Sequence, residues 1–304
     1  MTPHFGRGAA IFLLDQTYLL PFQVMMHSMR DAVENRNVDI VVLTDDDGLL
    51  DNPFLRRICD KIIKISEDQL ELLKSIDLSS VPDEFRHPKY GVYWFLKFLV
   101  FDYYGYDYHI YLDTDMLALR RDFSFDDIFA GTAFSAAPTI GKTALGIPPN
   151  SRGSSNNDLE QQRIVDTTRE IAARNYKISR SINSGVMSIP KSMIGRSTVR
   201  SLVELSTLNS YRLEQDVVRA HASQFLPDDF RPLPIWLNMP ELPLRAAGEV
   251  NAIERLLPYT KILHFNLHPK PWKISGRPGW VHQIWHRHRS LATRWIETQS
   301  TPPH

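Results

Sequence analysis

Short, unbroken apolar runs that each end on a polar residue, separated by amphipathic stretches, constrain this chain more than any other feature of its sequence. Ala9-Ala10-Ile11-Phe12-Leu13-Leu14 closes on Asp15, and His109-Ile110-Tyr111-Leu112 closes on Asp113. A strand that is apolar on both faces must be covered on both, the pattern of a parallel sheet held between helices. The segments between supply the cover: Phe22, Met25, Met26, Met29 and Val33 recur at three- and four-residue spacing and form one stripe. Further strands are predicted at 38–43, 61–65, 182–189 and 261–265, and helices near 49–58, 90–104, 159–174, 194–208 and 213–223. The expected class is α/β, with one Rossmann-type, mainly parallel sheet flanked by helices. Ligands of such sheets bind outside the carboxyl ends of the strands, where Asp15 and Asp113 both fall.

Bulk chemistry narrows the function. A chain of 304 residues with 43% hydrophobic and 23% charged side chains has the balance of an ordinary soluble domain. Its 35 basic and 35 acidic side chains cancel, so no net field recruits nucleic acid and an anion must be held by a local site. Cys59 is the single cysteine, which excludes an internal disulfide and points to a reducing compartment. The apolar stretch 11–26 is interrupted by Asp15, Gln16 and Gln23, so neither a signal peptide nor a spanning helix is expected, and the cytoplasm is the expected location.

Two segments admit two readings each. Residues 141–162, rich in Pro, Ser, Asn and Gly, read as a mobile loop or lid, or as a surface insertion. In the tail, 281–304, Ile284, His288, Leu291 and Trp295 share a helical face amid His286, Arg287, Arg289 and Arg294. That is either an interfacial helix on anionic lipid at the inner face of a membrane, or a helix packed on the domain with its charges in water.

The chemistry centres on Tyr111-Leu112-Asp113-Thr114-Asp115-Met116, where two carboxylates two residues apart follow an apolar strand and can share one cation. By itself an Asp-x-Asp is more often a solvated turn or a helix cap, the reading given to Asp45-Asp46-Asp47. Its company carries more weight. Asp15-Gln16-Thr17-Tyr18 follows the first strand, Lys97 lies in an aromatic run before the second carboxylate strand, and then come Asn183-Ser184-Gly185-Val186, Glu214-Gln215-Asp216 and His264-Phe265-Asn266-Leu267-His268-Pro269-Lys270-Pro271-Trp272.

This ordered set, spanning residues 9–273, resembles the family 8 retaining glycosyltransferases, the glycogenin and lipopolysaccharide galactosyltransferase group. The resemblance implies a GT-A-like catalytic domain over 1–280, with a nucleotide-binding half (9–117) and an acceptor half (118–280). It implies that Asp113, Asp115 and His264 hold manganese, with magnesium as the alternative. Lys270 would meet the diphosphate of a UDP-sugar, and Thr114 would lie within the same donor site. Asp15 and Tyr18 would hold uracil and ribose, and Lys97 an anionic partner. Asn183, Ser184 and Gly185 would lie beside the sugar, with Gln215 and Asp216 facing the transferred unit.

The implied reaction moves a hexose, glucose or galactose, to a saccharide, a lipid-linked saccharide or another hydroxyl acceptor with retention. Gln215 suits orientation better than attack, so departure and attack on the same face are preferred, a covalent intermediate on Glu214 or Asp216 remaining open. Three residues depart from the family pattern: Glu214 for aspartate, Thr17 for asparagine and Leu267 for glycine. Leu267 is expected to crowd the phosphates or turn its amide away, which keeps a UDP-sugar-binding protein with little turnover in view. A UDP-sugar hydrolase is the third reading.

Overall fold

The computed structural model describes residues 6–78, 86–87, 91–148, 157–173, 181–209, 213–225 and 229–300. Its strands are β1 (Gly8–Leu13), β2 (Val38–Thr44), β3 (Lys61–Lys64), the short pair β4 (Arg86–His87) and β5 (Gly91–Val92), β6 (Tyr108–Leu112), β7 (Met116–Ala118), β8 (Ser135–Pro138), β9 (Ile182–Pro190), β10 (Met239–Pro240) and β11 (Ile262–His264). The main sheet has the order β3-β2-β1-β6-β9-β8, and a small one the order β10-β11-β7. β3, β2, β1 and β6 run parallel, while β9 is antiparallel to both β6 and β8. The sheet is thus mainly parallel with one reversed strand. The chain leaves β1 towards β2 on one side and enters β6 on the other, which places a topological switch point between β1 and β6.

Strands buried on both faces are what the apolar runs required. Ala10, Phe12, Ile40, Val42, Ile110 and Leu112 share a core with Phe22, Met25 and Met26 of the helix Leu19–Ser28. Ala9, Ile11, Val41, Leu43 and Tyr111 join the opposite core with Phe98, Leu99 and Val217. Each Val, Leu, Ile, Phe or Met side chain among them, taken out of water, contributes about 1.5–3 kcal/mol.

Some expectations are corrected. The helix near 49–58 is two, Asp47–Leu50 and Pro53–Ile58, because Pro53 cannot continue a helix and the Asn52 side chain caps the second by accepting from Leu55 N. The run near 90–104 is a tight three-per-turn helix, Tyr93–Phe101, which places Trp94 one turn before Lys97. Asp46 caps its own turn through Gly48 N, the reading given to that acidic run. Within 141–162, residues 149–156 lie outside the described residues; Leu145 and Ile147 are buried, and Asp158–Gln162 begin the helix Asp158–Ala173.

The tail helix, Trp280–Ser300, packs on the domain. Val281, His282, Trp285 and Ala292 are buried, and Trp295 stacks edge-on against Phe54. Leu291, placed on the apolar face from sequence, is 63% exposed, and Arg287, Arg289 and Arg294 face solvent. Among the described residues no helix is long and apolar enough to cross a membrane.

One core residue sets an acid limit. His109 on β6 is fully buried, its Nδ1 donating to the Val100 carbonyl at 2.7 Å, and its Nε2 has no partner among the described residues. Burial pulls its pKa down from 6.5 to about 4. A folded pKa below the unfolded one means stability is complete above pH 6.5 and is lost as pH falls towards 4. The expected loss across that window is roughly 3 kcal/mol, read as a falling melting temperature. His109→Gln should flatten the profile between pH 6.5 and 4, and an unaltered slope would remove His109 as its source.

Candidate active site

The segment Asp113-Thr114-Asp115 links the two sheets, from the end of β6 to the start of β7. Its backbone is tied on both sides: Asp113 N donates to Gly185 O on β9 at 2.8 Å, and Phe265 N, just after β11, donates to Asp115 O at 2.9 Å. β11 pairs with β7 so that His264 lies opposite Met116. These pairings, rather than a strand's two-residue period, turn both carboxylates towards His264. The ligand atoms of Asp113, Asp115 and His264 all lie within 4.8 Å of one another. His264 Nε2 stands 3.2 Å from Asp115 Oδ1 and 3.6 Å from Asp113 Oδ2.

A relay fixes the imidazole. Asn183 Oδ1 accepts from Gly185 N and from Asn238 Nδ2, each at 2.9 Å, so the carboxamide oxygen of Asn238 faces His264 Nδ1 at 2.8 Å. With Nδ1 donating, the Nε2 lone pair points at the two carboxylates. Asp115 Oδ1 is buried with no hydrogen-bond partner among the described residues. A buried oxygen lacking a donor, a second carboxylate and an oriented imidazole lone pair form a donor set that fits a divalent cation of the manganese or magnesium kind.

Two buried ammonium groups flank the triad. Lys270 Nζ donates to Asp115 Oδ2 at 2.7 Å and to Phe265 O at 2.6 Å. Lys97 Nζ reaches Glu214 Oε1 at 3.0 Å, Ser184 Oγ at 3.1 Å and Asp113 Oδ2 at 3.2 Å, and Ser184 Oγ also donates to Glu214 Oε1 at 2.7 Å. Burial alone would lower the Lys97 pKa, but Asp113 and Glu214 outweigh it and hold it above the ordinary lysine value. Burial alone would raise Asp115, but the opposing positive charge beside it, with the Lys270 ammonium in direct contact, holds its carboxyl well below the usual range. The phenol of Tyr18 is pushed up by burial and then by Asp115 and Asp113, so it stays protonated.

A cavity of about 380 Å³ opens beside these groups. Of the site residues expected from sequence it is lined by Tyr18, Lys97, Asp113, Thr114, Asp115, Asn183, Ser184, Gln215, His264 and Lys270. Three expected residues have other contacts. Asp15 Oδ1 caps the turn at Tyr18 N, and burial raises its carboxyl against that bond. Gly185 makes room for the imidazole, since a Cβ there would sit 2.5 Å from His264 Cε1. Asp216 lies outside the cavity lining, on the helix Glu214–Phe225, its carboxyl raised by burial.

Leu267 takes the second of its two expected arrangements. Its side chain packs against the core and is absent from the cavity lining, while its amide turns away to Glu241 Oε1 at 3.0 Å. Residues missed from sequence are Asn238, Glu241 and the cavity-lining Trp94 and Thr139. Trp94 carried a local signal, three residues before Lys97; Asn238 and Glu241 did not, because the site groups they hold lie 26 or more residues away.

No family model matches the chain, and no curated protein matches it. Solved structures do. The chain is similar to the galactosyltransferase LgtC, solved with donor and acceptor sugar analogues, at 15% identity over 97% of this chain and 98% of that one, with a TM-score of 0.56. It is similar to GlyE of Streptococcus pneumoniae TIGR4 at 16% identity, covering 98% of this chain and 65% of that one, TM-score 0.53. It is similar to the bifunctional glycosyltransferase WbbM at 14% identity, covering 98% of this chain and 53% of that one, TM-score 0.59. The chain thus spans nearly all of LgtC, just under two thirds of GlyE and about half of WbbM. Its architecture is a GT-A-like glycosyltransferase fold.

Proposed function

We propose that this chain transfers a hexose from a UDP-sugar to a saccharide or other hydroxyl acceptor with retention at the anomeric carbon. One observation carries the reading: a divalent-cation donor set of Asp113, Asp115 and His264 sits between two buried ammonium groups in one cavity at a sheet's switch point. Such a site gathers positive charge where a leaving diphosphate develops negative charge. A divalent cation held by the triad would act there as a Lewis acid on the departing phosphate oxygens.

The chain's own groups supply the rest. Lys270 neutralises charge on the diphosphate while Phe265 O and Asp115 aim its ammonium. Tyr18 offers a neutral aromatic face, set edge-on against Trp272, for the base. Gln215 lines the cavity and orients the sugar. Glu214 Oε1 already accepts from Lys97 and Ser184, and Asp216 lies off the cavity lining, which supports reading neither carboxylate as the nucleophile. That favours same-face departure and attack, with a donor phosphate oxygen taking the acceptor proton. Glucose and galactose are the first donor sugars to try. Peripheral contact with anionic lipid would use the solvent-facing Arg287, Arg289 and Arg294.

The test is calorimetric titration of UDP with and without manganese, followed by product analysis on UDP-glucose and UDP-galactose. Metal-dependent UDP binding with transferred sugar supports the reading. Free sugar alone makes the protein a hydrolase, and no UDP binding under either condition overturns the donor assignment.

A further inference from the structure

The loop that carries Lys270 leans on the last helix of the chain. Glu241, the first residue of the helix Glu241–Ala247, is fully buried, and both of its oxygens are used. Oε1 accepts from the Leu267 amide at 3.0 Å, and Oε2 meets His282 Nε2 at 2.9 Å, with Arg245 Nη1 farther off at 3.9 Å. An ionised carboxylate only accepts, so His282 donates. His282 belongs to the helix Trp280–Ser300, whereas Leu267 lies midway between the metal-triad imidazole and Lys270.

The same helix touches the loop twice more. Trp285 packs on Trp272 with ring centroids 5.5 Å apart, and Trp272 in turn meets Tyr18 at 5.6 Å. His286 bonds the backbone of Pro271. A buried carboxylate holding one backbone amide is far more costly to satisfy than an apolar contact, and it fixes the backbone at a single point. Here that point is the residue where the sequence departs from the expected glycine.

We propose that Glu241 and His282 are positioning residues of the donor site: together they clamp the Leu267 amide and thereby set where Lys270 meets a diphosphate. The last helix is then part of the donor site. The proposal rests on the donor reading above only for the identity of the diphosphate.

The experiment compares the full-length protein with His282→Ala, His282→Gln and Glu241→Gln. Two readouts are used: hydrogen exchange at the Leu267 amide, and calorimetric affinity for UDP with manganese and for manganese alone. In His282→Ala, Leu267 exchange should rise and UDP affinity should fall about tenfold, the loss of one charge-assisted contact. Manganese affinity should stay within about twofold, since the triad does not run through His282. His282→Gln keeps a donor and should recover most of both losses. Should His282→Ala fail to fold, Glu241→Gln, which keeps an acceptor but loses the charge, should shift both readouts in the same direction.

Faster Leu267 exchange with unchanged UDP affinity would leave the contact merely structural and overturn the proposal, as would unchanged exchange. A wild-type protein that binds no UDP sinks the donor reading instead, and the clamp is then decided by the exchange data alone.

Discussion

Replacing Asp115 with asparagine is expected to reduce metal-dependent turnover by about 10³-fold while leaving the fold intact. The side chain is 8% exposed and serves two partners: Oδ1 faces His264 and Oδ2 accepts from Lys270. Asparagine keeps the shape and one acceptor but removes the charge that both the cation and the lysine need. The alanine variant should be worse for a second reason. It leaves the Lys270 ammonium buried with only the Phe265 carbonyl, a loss of about 3–5 kcal/mol by the usual cost of orphaning a buried charge. Manganese titration and thermal melts separate the effects. Wild-type manganese affinity in Asp115→Asn would remove this carboxylate from the donor set.

Lys97→Met should destabilise the protein on the same scale as Asp115→Ala. Its ammonium, 8% exposed, separates Asp113 from Glu214, and methionine fills similar volume without charge. Two carboxylates would then face each other in the interior, at a cost of about 3–5 kcal/mol. For a chain of 304 residues that is roughly 5–8 °C in melting temperature. Adding Glu214→Gln should restore much of the stability by removing one of the two charges. Turnover should stay low in the double variant, since the cavity has still lost a cation. A melt unchanged by Lys97→Met would show that the three-group network does not hold the site together.

How far the sequence reached depends on the range over which each feature is encoded. Strands were legible because burial on both faces writes itself into consecutive residues, as in Ala9–Leu14. Their ends pointed at the cavity for the same reason. The small sheet was not: β7 and β10 are three and two residues long, too short to show a period. The helix Glu67–Lys74 was missed although Ser66 and Gln69 form a capping box that spacing alone spells out. The reversed β9 has no signature of its own, since direction is set by which end of the sheet a connection returns to.

Among site residues, most of those facing the cavity came from ordered motifs, and Asp113, Asp115 and His264 do converge. Their supports were invisible. Asn238 matters because its carboxamide bridges residues 55 and 26 positions away, and nothing beside it in the chain marks that role. Gly185 read as an approach to the sugar, whereas the nearest obstacle to a side chain there is the His264 ring.

The junction between the two sheets also has a meaning in time. Asp113 and Asp115 are made early, with Lys97 before them, but the groups that meet Asp115 arrive late: Lys270 and Asp115 are 155 residues apart. β7 has no neighbour in its small sheet until β11 is synthesised. A chain still emerging from the ribosome can therefore assemble the parallel strands around β1 and pair Asp113 with Lys97, yet leave Asp115 with neither His264 nor Lys270 beside it. The triad and Lys270 can come together only once residues 264 and 270 have left the ribosome, so long-range closure sets the pace at which this site forms.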